Sequence, residues 1–81
     1  MDKVKAILNE KIKEHTGIIV QITKDIEVLL KKLETLKKDP NQRQELMVTS
    51  TTLLTLKDRA MFHKAAAMTL QDVLQEVNKL Q

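Results

Sequence analysis

Eighty-one residues with a formal net charge of +3 and no cysteine describe one small domain in which disulfide and thiolate chemistry are excluded. A chain of this size buries only about 60–65% of its unfolded surface, so its stability alone should be modest, and a partner or self-association is expected. One aromatic residue, one glycine and one proline stand against many Leu, Ile, Lys, Glu and Thr, which is the composition of long helices.

The charge is unevenly placed, because residues 1–38 hold nine lysines against six acids whereas residues 39–81 hold five bases and five acids. The excess lysines are interleaved with Glu10, Glu14, Asp25, Glu27 and Glu34. That pattern dilutes any field at a phosphate backbone and reads as a solvated helix face, so no nucleic acid partner is expected. The first residues open directly into a mixed-charge amphipathic pattern without the apolar core of a signal peptide. Apolar runs such as Ile18-Ile19-Val20 fall far below the ~20 residues of a membrane span, so a soluble, cytoplasmic protein without membrane insertion is expected.

From His15 onward, Ile19, Ile22, Ile26, Leu29, Leu33 and Leu36 follow at alternating spacings of four and three, a heptad seam. Extended backwards the seam takes in Leu8 and Ile12, with Val4 one place out of register. The first helix is therefore predicted over about residues 4–38, a rod of roughly 50 Å. A mid-helix glycine costs about 1 kcal/mol relative to alanine, so a bend or frayed arm is expected at His15-Thr16-Gly17. Off the seam lie Ile18, Val20, Val28 and Leu30, more apolar surface than one partner helix covers.

Lys37-Lys38-Asp39-Pro40-Asn41-Gln42 then reads as the turn of a helical hairpin. Pro40 suits a first helical position, because its fixed φ is helical and its missing amide would have been unpaired there. Asp39 becomes the N-cap with Gln42 placed to bond back to it, and Lys37 and Lys38 fall in the last turn of the preceding helix. So short a connection forces the helices antiparallel.

The second helix is predicted over about residues 40–79. Its seam is Leu46, Thr49, Leu53, Leu56, Ala60, His63, Ala67, Leu70, Leu74 and Val77. The β-branched run from Val48 to Thr52 would suit a strand, but a strand would break a period sustained for over thirty residues. Beside the seam Met47, Leu54, Met61 and Met68 recur every seven residues, and with Phe62, Ala65 and Ala66 they widen the apolar face. Methionine is over-used on adaptable binding surfaces, so this row is read as a hetero-partner surface or the core of a homodimer. The whole chain, residues 1–81, is one all-α domain: an antiparallel, coiled-coil-like two-helix hairpin.

Catalytic signals are missing. Gly17 alone makes no phosphate-cradling loop, Ser50 has no acid-base partner at a recognisable spacing, and no Cys or His-x-x-x-His cluster supplies metal ligands. No enzyme activity and no cofactor are expected. Folding the chain about Asp39 brings His15 opposite His63, where two histidines without a third ligand read as a polar layer that fixes register.

Gly17-Ile18-Ile19-Val20-Gln21-Ile22, the run from Leu36 through Asp39-Pro40-Asn41-Gln42 to Gln44, and the threonine- and leucine-rich second helix resemble the small type III secretion needle co-chaperones of the SsaE, EscE and YscE type. The similarity covers about residues 14–64. It implies a cytoplasmic helical hairpin that pairs with a tetratricopeptide-like chaperone, the pair holding the needle subunit soluble until export. In such a pair the small component mainly props up the larger one. Carried onto this chain, the implied contact residues are Ile18, Leu30, Met47, Leu54, Met61 and Phe62. A structural homo-oligomer, a four-helix bundle made of two hairpins, is the alternative expectation.

Overall fold

The computed structural model describes residues 2–80 and consists of α1 (Asp2–Leu36), a single 3₁₀ turn (Pro40–Gln42) and α2 (Arg43–Lys79). The helices lie against each other as an antiparallel hairpin of 62 × 14 × 13 Å. Every predicted seam residue from Leu8 to Leu36 and from Leu46 to Val77 is buried or half-buried, and Ile22, Leu33, Leu53, Ala67 and Val77 are the most deeply covered apolar ones. Lys5, not Val4, holds the next seam position outward: it is half-buried while Val4 is exposed.

Three of the expected boundaries shift: the first helix already starts at Asp2, and both ends at the turn move. The first helix ends at Leu36, because the residue before a proline is pushed out of the helical region, and Asp39 accordingly sits at φ −118°, ψ 108°. Lys37 and Lys38 therefore lie in the turn, although the Lys37 amide still donates to the Leu33 carbonyl at 2.9 Å. Asp39 does cap the chain beyond it, its carboxylate accepting from the Asn41 amide at 3.0 Å, with Pro40 leading a 3₁₀ turn before the α-helix starts at Arg43. The reciprocal bond expected from Gln42 is not made, for the Asp39 amide already donates to the Leu36 carbonyl at 3.2 Å.

The expected interruption at Gly17 is absent, and α1 runs through it as unbroken helix in a hairpin too slender to hold a bent arm. The threonines resolve their own conflict with the helix. Thr51, Thr52 and Thr55 donate to the carbonyls of Met47, Val48 and Thr51, four residues back, so their hydroxyls are satisfied without leaving helical geometry. Thr16 does the same to Ile12 beside the glycine.

A Cβ added at Gly17 would meet nothing within 4 Å. Gly17→Ala is therefore expected to stabilise the hairpin by about 1 kcal/mol through reduced unfolded-state entropy and better helix propensity. A thermal melt followed by circular dichroism should show a midpoint several degrees higher, roughly 4–8 °C for a domain of this size.

Candidate functional site: the outer face of the second helix

Two helices make a thin core, and among the described residues no large side chain in it is completely withdrawn from solvent. One seam is all that a hairpin can close, so anything apolar elsewhere on the helices stays in water. Met47, Leu54, Met61 and Met68 each follow a seam residue (Leu46, Leu53, Ala60, Ala67) by one position, which turns them about 100° around the helix and away from α1. Met47 is 71% exposed, Leu54 64% and Met61 70%, and Met68 is more than half exposed. Phe62 precedes seam residue His63, so it flanks the same outer face from the other side and is 65% exposed. A shallow groove at the N-terminal end of this face is lined by Gln44, Met47, Val48, Thr51 and Thr52.

The six predicted contact residues do not all share one face. Lys32 and Glu45 form the one ion pair between the helices among the described residues, Nζ to Oε1 at 2.7 Å, and so mark one flank of the seam. Ile18 lies two heptads before Lys32 and shares that flank. Leu30 follows seam residue Leu29 and lies on the opposite flank, the one toward which the methionine row faces. Leu30, Met47, Leu54 and Met61 are thus arranged along one edge and the back of α2, Phe62 borders the back from the far side, and Ile18 stands apart.

His15 and His63 do meet. Their Nδ1 atoms are 2.8 Å apart and the ring centroids 5.0 Å, so one ring donates and the other accepts across the half-buried seam. Phe62 packs edge-on to the His63 ring at 5.2 Å, which ties the seam to the outer face at this level. No group of three His, Cys, Asp or Glu side chains is close enough to hold a metal ion among the described residues. Nor, among the described residues, is any helix long and apolar enough to cross a membrane.

Val48, more than half exposed beside Met47, extends the face and was hidden in the sequence by the β-branched run around it. Compared with protein-family models, with curated protein sequences and with solved structures, the chain matches none of them.

Proposed function

We propose that this chain is a small co-chaperone of a type III secretion system, which pairs in the cytoplasm with a tetratricopeptide-like chaperone and so helps to keep the needle subunit soluble before export. The observation that carries the reading is the bare row Met47, Leu54 and Met61, three large apolar side chains each at least 64% exposed on the face turned away from α1. Such a row is costly to leave in water and well shaped to lie against the helices of a repeat protein. The resemblance of residues 14–64 to the needle co-chaperones supplies the identity of the partner. A thin two-helix core supplies the motive for the pairing, because a hairpin of marginal stability gains from any ligand that binds only its folded form.

Co-expression with a tetratricopeptide-like chaperone is the test. The purified pair should melt higher than the isolated chain, whereas an isolated chain already stable above ~70 °C with no affinity for such a chaperone would contradict the reading. The heptad spacing of the outer row also suits packing against a copy of itself, which keeps a four-helix bundle of two hairpins as the second reading. Light scattering coupled to gel filtration separates the two, since the bundle requires a dimer in the absence of any partner.

A further inference from the structure

The outer face of α2 carries a charge at its centre, beside the row Met47, Leu54, Met61 and Met68. Asp58 is exposed one turn beyond Leu54 and one turn before Met61 and Phe62, so it stands in the middle of the apolar face. Its helical neighbours at three and four residues' distance are Leu54, Thr55, Met61 and Phe62, none of them a cation, and no ion pair reaches it among the described residues. Leu54, Met61 and Phe62 around it are each at least 64% exposed, and Met47 and Met68 extend the apolar face to either end. Covering this face means covering Asp58.

We infer that Asp58 selects the occupant of this face: a helical surface whose apolar side chains surround a single Lys or Arg, and not a second copy of this chain. Resting on the co-chaperone reading, this names the chemistry that the chaperone must present. Self-docking is disfavoured by symmetry. A parallel, in-register pairing sets each residue of the row against itself, and an antiparallel pairing centred between Met47 and Met68 brings the two Asp58 carboxylates beside the axis. Both desolvate like charges against each other, which suppresses the wrong partner. A basic residue at the same place turns that penalty into a charge-assisted hydrogen bond.

Sedimentation of the isolated chain over a wide concentration range tests the first half. Wild type should remain monomeric and Asp58→Leu, which removes the charge from the apolar face, should dimerise with unchanged helicity by circular dichroism. A wild-type dimer that Leu54→Glu dissolves, or an Asp58→Leu chain that stays monomeric, overturns it. Titration with the tetratricopeptide-like chaperone tests the second half. Asp58→Arg should weaken binding about tenfold or more, and Asp58→Asn less. Undiminished binding by Asp58→Arg overturns the charge pairing while the co-chaperone reading stands. No binding by wild type overturns that reading instead, and sedimentation still decides whether Asp58 bars self-docking.

Discussion

Replacing Ile22 with alanine should destabilise the isolated hairpin by about 3 kcal/mol, enough to leave a small two-helix domain largely unfolded near physiological temperature. Ile22 sits in mid-seam and is only 3% exposed. Removing its branched side chain takes away the transfer free energy of the lost carbons and leaves a void that two long rods cannot close by local collapse. A core with so few deeply buried residues has no second cluster to hold the helices together meanwhile. The same substitution at Val28, 66% exposed on the same helix, should stay within about 0.5 kcal/mol of wild type. Urea melts followed at 222 nm measure both. Similar losses at the two sites would mean that the seam is not what joins the helices.

The second large effect is expected on binding and not on folding. Leu54→Glu together with Met61→Glu should leave helicity and melting of the isolated chain close to wild type, because both side chains are already mostly in water and glutamate is a good helix former. Against a helical partner, the same pair buries two carboxylates where apolar anchors belong. Hot-spot anchors contribute about 2 kcal/mol or more apiece on truncation, and an unpaired buried charge adds its desolvation cost, so affinity for the proposed chaperone partner should fall by more than about 100-fold. The contrast with Ile22 is the point: one helix face holds the fold and another is free to hold a partner.

Much of this was legible in residue spacing alone. Heptads at Ile19, Ile22, Ile26 and at Leu46, Thr49, Leu53 locate the seam, because only one face of each rod can be closed by the other, and the lone Asp-Pro pair locates the bend. The histidine pair followed from folding the numbers about that bend. Helix ends were less legible, since the 3₁₀ turn at Pro40 and the amide of Asp39 were decided by local hydrogen bonds that compete on equal terms. Gly17 misled for a similar reason: a propensity cost of about 1 kcal/mol is smaller than what continuous seam contacts on both sides of it return. Counting off-seam apolar residues could not say which of them share a face. That needs the flank fixed by Lys32 and Glu45, which separates Ile18 from Leu30 and the methionines. Asp58 was visible as a charge but not as the centre of a patch, because its meaning depends on what α1 leaves uncovered.

The most direct measurement is a calorimetric titration of a tetratricopeptide-like chaperone with three chains: wild type, Leu54→Glu with Met61→Glu, and Ile18→Glu. If the back of the second helix is the docking surface, the double variant loses measurable binding while Ile18→Glu, on the far flank, stays within about threefold of wild type. Equal binding by wild type and the double variant would place the interface elsewhere and contradict the account.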